Sequence, residues 1–173
     1  PVGIPAEQGP LAPYHGAQPP APQWFTDAVA TPYQTHFVEC EGVQIHYQTW
    51  GDRAKPGLLL VHGNGAHAHW WDFVAPYLIE DYFVVAMTFS GMGDSSWRPD
   101  YVMDVFAREQ LAVCEDAGLF NHADKPIIIA HSFGGFVTLL TGAEYGDRFG
   151  GIVIVDTPVN PPDSPRRGPP PVR

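Results

Sequence analysis

The stretch Pro126-Ile127-Ile128-Ile129-Ala130-His131-Ser132-Phe133-Gly134-Gly135 constrains this chain more than any other. Three successive isoleucines make the unbroken β-branched run expected of a strand buried on both faces. A stretch of helical character, Gly134 to Tyr145, follows almost without a loop. The backbone must therefore turn from strand to helix within two or three residues. The small residues Ala130 and Gly134, two before and two after Ser132, let the two elements approach without collision. A serine at the apex of such a turn sits in strained backbone and projects its hydroxyl from the sheet rim. It also lies at a helix N-terminus, where negative charge is favoured. The plainer reading of Ser132 is an N-cap, because serine starts helices in proteins of every kind.

A second segment points to the same rim. Leu58-Leu59-Leu60-Val61 is another apolar run, and it ends in the glycine-rich loop His62-Gly63-Asn64-Gly65. Attack of a serine hydroxyl on an acyl carbon creates an oxyanion. Preorganised N–H donors stabilise it, one from the residue after the nucleophile and one from a loop of this kind. Phe133 and Asn64 are the candidate donors. His62, His67 and His69 fall close together, but no carboxylate or cysteine completes a ligand set and the loop already has a use. No metal and no cofactor are expected.

The rest of the chain alternates apolar strand-like runs with helix-like stretches, the pattern of β-α-β units feeding a mostly parallel sheet. Thr35 to Glu41 and Val43 to Trp50 read as a hairpin turning at Glu41-Gly42. Leu58 to His62, Tyr82 to Met87, Ile127 to Ala130 and Ile152 to Val155 read as buried strands, and His69 to Leu78, Val102 to Ala117 and Gly134 to Tyr145 as helices. Residues 1–34 are expected to be a proline-rich arm, 35–158 the core, and 159–173 a proline-rich linker or lid stem. The net charge of −10, with nine Lys and Arg in all, argues against nucleic acid as a partner. No run of 18 apolar residues is present to span a membrane. Two cysteines fit a reducing compartment such as the cytoplasm, although a chain that starts at Pro1 keeps a removed leader open.

In order and spacing, His62-Gly63 after the third strand, Ser90-Gly91-Met92-Gly93-Asp94-Ser95 after the fourth and the Ser132 turn after the fifth resemble the alpha/beta-hydrolase superfamily, over roughly Thr35 to Pro158. The resemblance implies an α/β fold with strands 1 to 6 present and the lid and strands 7 and 8 absent from this chain. It implies Ser132 as nucleophile, with an acid after the seventh strand and a histidine after the eighth. On that reading this chain is incomplete alone and acts with a C-terminal fragment of the same protein. Two departures are mild: Ala130 stands where the family most often has Gly, and Thr88 where it usually has a turn-stabilising Asp. Asp156, after the sixth strand, stands where some lipases of this fold keep their acid. It is the alternative acid, its other reading being a turn residue in Asp156-Thr157-Pro158. His131 is expected to point away from Ser132, His62 to be structural, and His122 to lie at the opposite end of the sheet.

A serine at this turn argues against epoxide hydrolase and haloalkane dehalogenase chemistry, which forms an alkyl-enzyme ester through a carboxylate. The expected reaction is hydrolysis of a carboxylic ester or lactone, on a small to medium apolar substrate. Trp70, Trp71 and Phe136 lie near the site by sequence, with core packing expected for at least two of the three. Two rivals remain: a carbon-carbon bond hydrolase of the meta-cleavage product type, and a non-catalytic binding or receptor-like protein of the same fold.

Overall fold

The two most continuously apolar strands, β3 (Gly57–Val61) and β4 (Phe83–Met87), take the centre of the sheet in the computed structural model, which describes residues 12–159. Every residue of both strands is buried. They are flanked by β2 (Val43–Trp50) and β1 (Gln34–Cys40) on one side and by β5 (Ile127–His131) and β6 (Gly151–Val155) on the other, in the order β1-β2-β4-β3-β5-β6. Strands β3 to β6 run parallel, and the β1–β2 hairpin joins them antiparallel through β2. Glu41 and Gly42 turn that hairpin with φ of 50° and 82°, the doubly left-handed turn whose twist matches its strands.

Alternation along the central strands feeds two cores. Leu59, Val61, Val85 and Met87 face α2 (Met103–Asp116) and α3 (Phe133–Tyr145), where Phe106, Val113 and Val137 are buried against them. Leu58, Leu60, Val84 and Ala86 face the other way, onto Trp50, Ala68, Trp71 and Ala75. At roughly 25 cal/mol per Å² of apolar surface, each fully buried Leu or Val contributes about 2 kcal/mol. The central strands are thus the rigid floor on which the loops are mounted.

Two segments differ from the sequence reading. The expected helix His69–Leu78 is instead two short 3₁₀ turns, Ala68–Trp71 and Ala75–Tyr77. Pro76 explains the break, since its ring excludes the carbonyl four residues earlier and it brings no N–H. Within the proline-rich arm, α1 (Gln23–Val29) forms and docks by aromatic contact: the Phe25 and Phe73 rings lie 5.7 Å apart, and the Tyr77 hydroxyl donates to the Trp24 carbonyl at 3.0 Å. Most of the expected linker, from residue 160 on, lies outside the described residues.

The strand order positions the functional loops. From β3 the chain steps sideways to β4, then returns through α2 to the far side of β3 and enters β5. Connections therefore leave β3 and β5 on opposite faces, and such a reversal opens a crevice at the C-terminal strand ends. The 62–65 loop and Ser132 both emerge there.

The loop after β4 is fixed by a buried ion pair that the sequence did not announce. The Arg98 guanidinium donates from Nε to Glu109 Oε1 at 2.9 Å and to Ser90 Oγ at 3.1 Å, and from a terminal nitrogen to the Cys40 carbonyl at 2.6 Å. The Ser90 N–H donates to Glu109 Oε2 at 3.0 Å. Glu109 is wholly buried and Arg98 nearly so. Replacing Arg98 with Met strands a buried carboxylate, so the expected cost is about 3–5 kcal/mol, seen as a lower urea midpoint; adding Glu109→Leu recovers most of it.

Candidate active site

At the C-terminal end of β5 the ladder holds His131 opposite Val155, and the Ser132 N–H donates to the Val155 carbonyl at 2.9 Å. Ser132 then adopts φ 50° and ψ −114°, backbone that residues with a β-carbon avoid, at a cost on the order of 1–3 kcal/mol. It precedes α3 but its side chain caps nothing. That separates it from an ordinary N-cap serine, whose hydroxyl accepts from the helix. Ser132 Oγ has no hydrogen-bond partner among the described residues.

Packing around the turn is tight on both sides. A β-carbon at Gly134 would run into the His62 carbonyl oxygen and lie 2.8 Å from Val61 Cγ1, so the first turn of α3 rests directly on the end of β3. A β-carbon at Gly135 would occupy the place of the Thr157 hydroxyl. That hydroxyl donates to the Ser132 carbonyl at 2.9 Å and ties the turn after β6 to the turn after β5. Thr157 was not among the residues singled out by sequence, because its partner is 25 positions away.

The 62–65 loop lies against the serine. A β-carbon at Gly63 would stand 3.2 Å from Ser132 Cβ and 2.8 Å from His131 Nδ1. Neither the Asn64 N–H nor the Phe133 N–H donates a backbone hydrogen bond among the described residues. For Phe133 this follows from its place as the first residue of α3, which leaves its amide orphaned.

His62 anchors this loop. Its Nε2 accepts from the Phe89 N–H at 3.1 Å, so Nδ1 carries the proton and donates to the Gly63 carbonyl at 2.7 Å. Burial lowers its pKa to about 4, and the ring is neutral near pH 7. The end of β4 holds the next part of the loop: Thr88 Oγ1 accepts from the Ala68 N–H at 3.0 Å and sits 3.1 Å from His46 Nδ1. Ser95 Oγ donates to the Thr88 carbonyl at 2.7 Å.

His131 makes no hydrogen bond to Ser132 Oγ among the described residues. It stacks on Trp70, with centroids 5.8 Å apart and planes 17° from parallel, and its Nε2 is 3.9 Å from Asp156 Oδ2. Asp156 has φ 50° and an exposed side chain; the hydroxyl of Thr157, rather than its carboxylate, supplies the side-chain bonds of the turn. His122 lies beyond the opposite end of β5, where its Nδ1 accepts from the Asp124 N–H at 2.9 Å. The three aromatics depart from the expectation that at least two pack in the core. Only Trp71 does; Trp70, its neighbour in the short 3₁₀ turn, is 50% exposed, and Phe136, on the outer face of α3, is 41% exposed. Among the described residues, no group of three or more His, Cys, Asp or Glu could hold a metal ion, and no helix is long and apolar enough to cross a membrane. Cys40 and Cys114 are both free and buried.

A family model described as "Alpha/beta hydrolase family" matches residues 58–173, which begin at β3 and take in both loops and the serine turn. The chain belongs to this family. Human "Epoxide hydrolase 4" is 24% identical over 124 residues, covering 70% of this chain and 33% of that protein. Human "Monoglyceride lipase" is 30% identical over 132 residues, covering 72% and 43%. The crystal structure of Epoxide Hydrolase A from Mycobacterium thermoresistibile superposes with a TM-score of 0.64 and 26% identity, over 71% of this chain and 39% of that one. The chain thus spans less than half the length of each of these alpha/beta hydrolases.

Two outcomes follow from the packing. Gly134→Ala forces α3 off the end of β3 and is expected to lower stability by about 1–3 kcal/mol, visible in thermal denaturation. The His62 pKa is depressed in the folded state, so the unfolded chain binds the extra proton between pH 6.5 and 4. Its contribution is complete above pH 6.5 and is lost as pH falls through 4, about 3 kcal/mol in total. Urea midpoints measured across this window should fall, and His62→Gln, which offers Phe89 an uncharged acceptor, should flatten the fall.

Proposed function

We propose that this chain carries the nucleophile part of a serine hydrolase that cleaves a carboxylic ester or lactone through an acyl-enzyme. Ser132 Oγ adds to the acyl carbon and gives its proton to a base. The carbonyl oxygen takes the negative charge, facing the Asn64 and Phe133 N–H groups. Collapse expels the alcohol, which takes up that proton, and water then releases the acid by the same route. The observation that carries this reading is a serine held in strained backbone, capping nothing, at the sheet's switch point and beside two amides free of backbone partners.

The relatives include proteins named epoxide hydrolase and proteins named lipase, which supports hydrolysis as the reaction type. The choice between them rests on residue 132. An alkyl-enzyme ester needs a carboxylate at the turn, whereas a serine hydroxyl is suited to acyl transfer. Trp70, which stacks on His131, and Phe136, in the first turn of α3, are both partly exposed and favour a small to medium apolar substrate.

Among the described residues no histidine or carboxylate is hydrogen-bonded to Ser132 Oγ, and general-base assistance is typically worth about 10² to 10⁴ in rate. We assign the base and acid to a C-terminal portion of the same protein. Among the described residues β6 pairs only with β5, and Val153 and Val155 are exposed on it, as are Phe136 and Leu139 on α3. An open parallel edge beside an apolar face is what a further strand and helix would cover. Asp156 stands as the alternative acid.

A fluorophosphonate probe tests the proposal on the complete protein. One covalent adduct at Ser132 is expected, absent in Ser132→Ala, whose melting temperature stays close to that of the parent. Ser132→Gly should also lose the adduct yet melt higher, because glycine relieves the strain at φ 50°. A complete protein that binds no probe would instead be a non-catalytic member of the family.

A further inference from the structure

We propose that His131 is a positioning residue: one imidazole, fixed to the rigid end of β5, bears on both the 62–65 loop and Trp70 and so sets the oxyanion donor and one wall of the substrate pocket. The inference rests on the reading of Ser132 as nucleophile. Three contacts converge on the ring. Its Nδ1 edge presses on Gly63, where a β-carbon would lie 2.8 Å from Nδ1 and 3.3 Å from Cε1. Its face carries Trp70 in a near-parallel stack. Its Nε2 edge points to the Asp156 carboxylate.

The backbone beneath the ring is held by the β5–β6 ladder up to the His131–Val155 pair and by the Ser132 N–H bond to the Val155 carbonyl. The ring is therefore the stationary member. The loops it touches are irregular and are tied from beneath, by His62 at the Gly63 carbonyl and by Thr88 Oγ1 at the Ala68 N–H, so the ring supplies their lateral support. Gly65 lies at φ 69° in a tight turn closed by the Ala66 N–H to Gly63 carbonyl bond, and residues 68–71 form only a single 3₁₀ turn. A planar ring of this size fills the gap between Gly63 and Trp70, and alanine opens that gap, leaving the His62 bond to hold Gly63 from one side only. Ser132 Oγ has no hydrogen-bond partner among the described residues, so the geometry gives His131 a mechanical part rather than a proton to carry.

The test compares His131→Ala with His131→Phe, which keeps a stacking ring but no nitrogen, in the complete protein. On a p-nitrophenyl ester, His131→Ala is expected to lower kcat about 10- to 100-fold, within the loss of one oxyanion donor, with a smaller rise in KM. Probe labelling of Ser132 should slow by the same factor while still reaching one adduct per chain. His131→Phe should return kcat to within several-fold of the parent. Hydrogen exchange gives a readout free of chemistry: amides of residues 63–70 should exchange faster in His131→Ala and at the parent rate in His131→Phe. If both variants are equally inactive with loop exchange unchanged, the ring nitrogen takes part in the reaction and the proposal is wrong. Parent-like turnover in His131→Ala also overturns it. Failure of the Ser132 reading looks different, since the parent protein itself would then take no label.

Discussion

Everything at the sheet rim depends on how closely α3 approaches the end of β3. With no side chain at Gly134, the first turn of the helix can sit on the His62 carbonyl, and with none at Gly63 the following loop can fold against Ser132 and His131. The pairing of Val61 with Ala130 brings the two strand ends level, so neighbouring parallel strands deliver a loop and a helix start to one point. His62 then locks the arrangement from beneath by bonding the end of β4 and its own loop with opposite ring nitrogens. A serine in disfavoured backbone persists because all of these contacts determine its position at once.

The central sheet was legible because parallel strands covered on both faces must be apolar at every position, and the runs at Leu58, Phe83 and Ile127 satisfy that condition without help from distant residues. The hairpin was legible for an equally local reason, since Glu41-Gly42 can take the turn that its strands require. The segment 69–78 departs from expectation where apolar content suggests a helix and Pro76 decides otherwise. Helix α1 was not foreseen because what stabilises it, Phe73 and Tyr77, comes from another part of the chain.

The site divides along the same line. The passage from β5 to α3 at Ser132 and Gly134, and the turn out of β3 at His62-Gly63, could be read directly as backbone, because such turns restrict the residue types permitted at each place. Thr157, Arg98 with Glu109, and the stacking of Trp70 on His131 could not, since each acts only through a partner brought close by folding. Of the two adjacent tryptophans, one joins the core and the other stays at the surface. Hydrophobicity is the same for both, so composition gave no means of telling them apart.

Residues 132 and 156 are side-by-side counterparts. Strands β5 and β6 end in register, and each is followed at once by a residue with φ near 50°. The rim thus repeats one backbone device at both positions, a left-handed residue placed directly after a parallel strand. One turn geometry therefore carries a hydroxyl at one strand end and a carboxylate at the next, so the choice of side chain is independent of the backbone beneath it.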